Sequence, residues 1–395
     1  MSEVIPVLRP AVRYEHALLF AARPALAALL VGGRVARPLR RVPRLGWVSA
    51  DPVVARAVLN DHRHFTLLAE GGVGHLWAQV LGPWVLDLFD GPGHHDLRTR
   101  SRDLFTEVTA ASLVDGAWAA RLGQARAALA SGAGLDVADL ARVLVGRMLA
   151  TLLGLPDGGD AGARDLFATG ERLAAIALGS AADTTLSSAR VTQARDIVAD
   201  LTRGVPAAWT RAEPDTLLGR CRTLGLGLQE STGLAALLMV AGTETAASAM
   251  ARTVALLHDT GAQHRLLAEP ALLPAAVREG LRVTTPAPVI GRAVRRDVTV
   301  AGRALRAGER VVLLTWTANT APGGFDLDRG YLPDNRQLWF GAGRHLCLGA
   351  PLARAELTAL LGMLVADGRP WTVVRRRAAR RALIPNYREL VIRRS

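Results

Sequence analysis

The residues best equipped for chemistry sit together in the loop Phe340-Gly341-Ala342-Gly343-Arg344-His345-Leu346-Cys347-Leu348-Gly349-Ala350-Pro351. Its glycines let the backbone turn tightly and come close to something else. Pro351 fits the first turn of a helix that runs on through Leu352-Ala353-Arg354-Ala355-Glu356-Leu357. Cys347 therefore stands just before a helix N-terminus, where unpaired N–H groups and the positive dipole end favour thiolate over thiol. A soft anionic sulfur held this way suits an iron centre. A single cysteine is more often an ordinary buried one. A His345-x-Cys347 metal pair would supply only two ligands, and no second cluster accompanies it.

Two other groups of residues carry chemistry. Leu238, Ala241, Gly242, Thr245 and Ala249 follow helical spacing and put small residues and one hydroxyl on a single face. Such a face leaves room for a small ligand, although it also permits close helix packing with Thr245 back-bonded to a carbonyl. Glu244 lies in the same apolar stretch, where burying a carboxylate is costly unless it is paired or functional. Glu279 and Arg282 are three residues apart and meet on one helix face; on a surface such a pair contributes little.

The elements that must carry these groups are mainly helical. Hydrophobic residues make up 50% of the 395 but aromatics only 5%, so the core is largely aliphatic, and Leu and Ala are good helix formers. Residues 110–205 show helical spacing broken by turns such as Leu155-Pro156-Asp157-Gly158-Gly159, and residues 230–259 form an unbroken helical pattern. The stretch between Glu230 and Glu244 is too short for a membrane span, which marks a buried central helix. Between Pro24 and Leu59 a short helix, a two-stranded element around Val42–Val48 and a helix after Asp51 are expected. Val298–Leu314 and Trp371–Arg393 read as short strands. The expected class is mainly α with small β-sheets, in a single domain over 1–395.

The net charge of +13 invites a nucleic-acid reading, but the sequence contains no lysine and its arginines are scattered. An acidic protein partner fits better. Cys221 and Cys347 have no disulfide or zinc spacing, and the apolar run Ala17–Val31 is broken by Arg23-Pro24. A cytoplasmic protein without nucleic acid or membrane anchor is expected.

The spacing F-x-x-G-x-H-x-C-x-G at Phe340, Gly343, His345, Cys347 and Gly349 resembles the haem-ligand signature of the cytochrome P-450 family. Ala241-Gly242-Thr243-Glu244-Thr245 is similar to that family's oxygen-activating motif. Glu279, Arg282 and Arg329 resemble its buried network behind the cysteine loop. His94, Arg98, Arg292 and His345 match its haem-propionate contacts, for which arginine suits carboxylate geometry. The pattern departs at Ala318-Asn319-Thr320-Ala321-Pro322, where many bacterial members read A-N-R-D-P.

The resemblance implies the cytochrome P-450 fold, with haem b ligated by Cys347 and cradled by Phe340, Gly341, Gly349, Ala241 and Gly242. It implies a monooxygenase that hydroxylates or epoxidises a hydrophobic small molecule, in bacterial secondary (specialised) metabolite biosynthesis. Thr245 would hydrogen-bond the O2 and Glu244 relay protons. No fused reductase is expected, so electrons from NAD(P)H would come through an external ferredoxin and ferredoxin reductase, docking an acidic partner near Arg344 and Arg354. The family's pocket positions correspond to Trp77, Trp84, Val85, Leu238, Val289, Ile290 and Tyr387, with Gln79 or Asn386 as orienting groups for an uncharged substrate. A haem-thiolate peroxygenase or isomerase, or a non-catalytic haem sensor, are the alternatives.

Overall fold

The structure is a computed structural model that describes residues 10–33, 38–70, 72–177 and 185–395. Parts of two expected segments, 34–37 and 178–184, lie outside the described residues.

The longest element is the central helix Leu228–Asp259, about 48 Å at 1.5 Å per residue. It is long and apolar enough to cross a bilayer, yet most of it is buried in protein, above all from Thr243 to Leu257. It packs against helices Val137–Leu153, Gly159–Ala177, Leu273–Thr284 and Ala350–Val365, which makes it the axis of the main core. Local rules set where neighbours start. Asp136 caps Val137–Leu153 by accepting from Ala138 and Asp139 N–H, and Gly154 in the left-handed region closes that helix. Oδ1 of Asp136 also accepts from Leu390 N–H at 3.0 Å, which ties the helix to the last strand.

Among the described residues the strands form three small sheets. The largest has the order Arg40–Val42, Gly46–Ser49, Arg310–Leu313, Ile290–Val294, Phe65–Thr66; its second and third strands run parallel and the other pairs antiparallel. Trp371–Ala378 and Tyr387–Arg394 pair as a C-terminal hairpin, joined by Leu135–Asp136. The expected mainly helical class, the central helix, the strands around residues 42–48 and the late hairpin are all present.

One tie was not foreseen. Arg252 of the central helix is fully buried and pairs with Glu15 of the first helix, Pro10–Ala22, while its Nη1 also reaches Ser248 Oγ at 3.3 Å. Removing either partner would strand a charge in the core.

Candidate active site

The cysteine loop is built from conformations that need glycine. Gly341 has φ +78°, and Gly343 has φ +69° with a hypothetical Cβ only 2.4 Å from Leu59 O. Phe340 O accepts from Cys347 N–H at 3.0 Å, which closes the loop. Helix Ala350–Val365 starts immediately after it, with Pro351 in the first turn.

Cys347 is exposed, as is Leu346 beside it. Ala241 is likewise exposed although it lies midway along the buried central helix, and Thr245, one turn on, is half-buried. Free surface midway along an otherwise buried helix marks an opening beside Ala241 and Thr245. Burial pushes the Cys347 thiol up, against the pull of Gly349 N–H and of Arg98 and Arg354. A metal bound at sulfur would supply positive charge there and favour the anion.

Basic groups converge beside the loop. His94 and His345 have ring centroids 4.8 Å apart, and Arg98 Nη2 donates to Leu346 O at 2.6 Å. Burial, with His345 and Arg98 adding to it, pushes His94 down to about 4, so this ring is neutral at physiological pH. Arg292 is only 7% exposed, and among the described residues its guanidinium donates only to the adjacent Gly291 O, at 2.8 Å. Burial pushes this guanidinium down to about 10. A buried arginine this poorly paired, near His345 and with only the Asp90 carboxylate acting on it from nearby, is suited to an anion. The donor set thus fits haem, with one sulfur for iron and a basic cluster for propionates.

Asp90 was missed. Its carboxylate is 2% exposed and accepts from Thr66 Oγ1 at 3.0 Å, with Arg344 Nη1 at 3.2 Å, Arg295 Nη2 at 3.3 Å and His345 Nε2 at 3.5 Å. It stands four residues before His94, which was a signal the sequence offered.

Behind the loop, Glu279 is 1% exposed and receives Arg282 Nε at 2.8 Å, Arg282 Nη2 at 2.7 Å and Arg329 Nε at 3.2 Å. All three expected members of the network meet. Arg282 also donates to the carbonyls of Asn319, Gly323 and Gly324, which fixes the segment where the sequence departs from the family pattern.

Other expected positions are placed differently. Gly242 faces Leu149, whose Cδ2 would lie 3.1 Å from a Cβ there, so it serves close helix packing. Thr245 Oγ1 donates to Ala241 O at 2.7 Å. Glu244 Oε2 accepts from Ile384 N–H at 3.2 Å, and burial with the nearby Glu171 carboxylate pushes it up to about 7. Glu171, on helix Gly159–Ala177, had not been singled out.

Trp77 and Val85 are core residues at 4% and 0% exposure. Trp84 donates to Leu81 O at 2.7 Å, and its ring lies against Gly233, about 12 Å along the helix from Ala241. Gln79 is spent on accepting from Leu186 N–H and donating to His75 O. Tyr387 is 2% exposed among the charges of Glu15, Arg376, Asp259 and Arg252, which removes it as an orienting group. Ile290 lies against the cysteine loop, near Gly341; Leu238 keeps partial exposure on the Ala241 face; Val289 packs towards the Leu30 and Trp316 core. Arg344 and Arg354, expected to meet a partner protein, pair with Asp90 and Glu107.

Comparison with known proteins agrees with this geometry. The family described as Cytochrome P450 matches residues 224–367, which hold the central helix, the Glu279–Arg282 pair and the cysteine loop. A solved structure of a P450 EryK mutant in complex with erythromycin B superposes with a TM-score of 0.75, covering 95% of this chain and 97% of that one at 25% identity. The whole chain has the cytochrome P450 fold, and residues 224–367 carry that family's sequence. Among curated relatives, a putative cytochrome P450 (YjiB) of Bacillus subtilis is 37% identical over 33% of this chain and 34% of its own length. The 20-oxo-5-O-mycaminosyltylactone 23-monooxygenase of Streptomyces fradiae is 36% identical over 38% and 37%. The matched stretch thus spans about a third of these curated relatives.

Proposed function

We propose that this P450 is a haem-thiolate monooxygenase acting in the cytoplasm on a hydrophobic small molecule in specialised metabolism, with residues 1–395 acting as one haem domain. The reading puts a cleft between Cys347 and the Ala241–Thr245 turn, and the observation that carries it is the free surface at Cys347 and Ala241 together with the buried, under-paired Arg292. Haem bound there supplies one-electron chemistry and O2 activation, with thiolate donation favouring O–O cleavage. Cys347 would be the iron ligand, and His94, Arg98, Arg292 and His345 would hold the propionates. Phe340, Gly341 and Gly349 shape the loop, and Ala241 leaves space above it.

The chain's own residues define the rest. Thr245 Oγ1 spends its proton on Ala241 O, so towards the cleft it is a hydrogen-bond acceptor that orients a protic group or water. Glu244, poised near neutrality, can hold a proton at its carboxylate and release it, as a general acid requires. Leu238 and Ile290 give the cleft apolar walls. Electrons from NAD(P)H would arrive through a ferredoxin and its reductase.

The test is the reduced, CO-treated spectrum of purified protein, together with product formation from neutral hydrophobic compounds using a ferredoxin and reductase. A thiolate-type Soret band with electron-dependent product supports the reading. A protein without pigment refutes it, and product formed from peroxide alone favours a peroxygenase.

A further inference from the structure

Two carboxyl groups from different helices meet beside the turn of the C-terminal hairpin. Glu244, on the central helix, is 8% exposed, and its Oε2 accepts from Ile384 N–H in that turn at 3.2 Å. Helix Gly159–Ala177 comes closest to the central helix at Gly170, where a Cβ would stand 3.2 Å from Thr243 Oγ1 and 3.6 Å from Met239 O. That approach brings the following residue of one helix, Glu171, near the following residue of the other, Glu244, and the Glu171 charge acts on it.

The two acids differ in their access to water. Phe167, Glu171 and Ala175 succeed one another at intervals of four along one helix face and pass from buried through half-buried to exposed. Glu171 is thus the rim residue and Glu244 the inner one. Among the described residues the Glu171 carboxylate has no hydrogen bond or ion pair. The charged group that acts on it is Arg142 of helix Val137–Leu153, whose guanidinium lies 6.0 Å from the Phe167 ring centre and donates to the carbonyls of Tyr387 and Arg388 at 3.0 and 3.2 Å.

Protons can pass inward between the two without an uphill step. Burial raises Glu171 and Arg142 opposes it, whereas Glu244 is pushed up to about 7 by burial and then by the Glu171 charge. Glu244 therefore ionises against an already charged Glu171, which makes Glu171 the stronger acid of the pair. A proton on Glu171 moves downhill to a Glu244 carboxylate.

We propose that Glu171 is the relay through which Glu244 regains its proton from solvent. When Glu244 gives its proton into the cleft, the Glu171 carboxyl replaces it, and the Glu171 carboxylate then takes a proton from water or buffer at the rim. No electron moves in this exchange, and each proton lost is matched by one taken up. The proposal rests on the monooxygenase reading, because every electron passed to O2 needs a proton. Acting through Glu244, Glu171 is a positioning residue of the reaction.

The experiment supplies haem-loaded wild type, Glu171→Gln and Glu171→Asp with NADPH, a ferredoxin and its reductase. It follows NADPH oxidation and its solvent deuterium effect over about pH 6 to 9. Infrared spectroscopy of the same proteins records the pH at which the carboxyl band missing from Glu244→Gln disappears. For Glu171→Gln, oxidation at the alkaline end should slow by about tenfold, less than the ~10²–10⁴ of direct general-acid catalysis, with a larger solvent deuterium effect. The Glu244 band should titrate at lower pH than in wild type, since the like charge is gone. Glu171→Asp keeps the carboxyl and should recover most of the rate. An unchanged rate in Glu171→Gln overturns the relay, as does a slowed rate with the Glu244 midpoint unmoved. Should Glu171→Gln misfold by circular dichroism, Glu171→Ala decides by the same two readouts. A wild type that oxidises no NADPH overturns the relay together with the monooxygenase reading, whereas an active wild type with an indifferent variant overturns the relay alone.

Discussion

Replacing Arg282 by Met should be among the most damaging single changes outside the cleft. The side chain is 2% exposed, and its guanidinium donates twice to the Glu279 carboxylate and to the carbonyls of Asn319, Gly323 and Gly324. Methionine fills similar space but leaves a buried carboxylate and three carbonyls short of donors. Breaking a buried pair from one side costs about 3–5 kcal/mol. Arg329 Nε and Asp326 N–H still reach Glu279, each at 3.2 Å, which places the expectation at the lower end, about 3 kcal/mol. That is a large share of a typical stability of roughly 5–15 kcal/mol. Urea unfolding followed by circular dichroism should show a lower midpoint with an unchanged slope. The nearby Arg278→Met, at an exposed side chain bonded among the described residues only to Arg329 O, should cost under about 1 kcal/mol. Replacing Glu279 and Arg282 together by Met should recover part of the loss, because no lone charge remains. A loss within about 1 kcal/mol for Arg282→Met alone would refute the claim that this network anchors residues 319–324 behind the loop.

Cys347→Ser should abolish the thiolate CO band and monooxygenase activity, while Cys221→Ser, at a core position, leaves the band in place; a normal band without Cys347 would defeat the ligand assignment. Thr245→Ala should keep fold and pigment but divert reducing equivalents to peroxide, measured as product per NAD(P)H consumed, and unchanged coupling would remove the hydroxyl from the mechanism. Glu356, 2% exposed with Oε1 unpaired, has its carboxyl pushed up to about 8 by burial. A folded-state value above the unfolded one gives stability that is full below about 4.5 and lost as pH rises through about 8. Glu356→Gln should therefore flatten the fall in urea midpoint over that window, by a few kcal/mol at its upper end, and an identical pH profile would show that the carboxyl is not protonated in the fold.

The amino-acid sequence determined the features that depend on neighbours along the chain. Helical spacing over residues 230–259, the glycine-rich turn ending at Cys347 and the i, i+3 pair Glu279–Arg282 follow from backbone periodicity and glycine's access to positive φ, and each is found where it was expected. Motif order also singled out His94, Arg98, Arg292 and His345, although only folding brings these widely separated residues beside one another. Tertiary structure alone decided which partner each side chain meets. Gln79 and Tyr387 resemble pocket residues in one dimension, yet packing commits the first to Leu186 N–H and the second to the surroundings of Glu15 and Arg376. The same holds for Asp90 with Arg344 and for Glu15 with Arg252, pairs separated by more than two hundred residues, whose meeting no local periodicity encodes. The Cys347 thiol shows the reason most directly. Its helix-start position is legible in sequence and favours the anion, whereas the burial that pushes the thiol up comes from segments that folding brings around the loop.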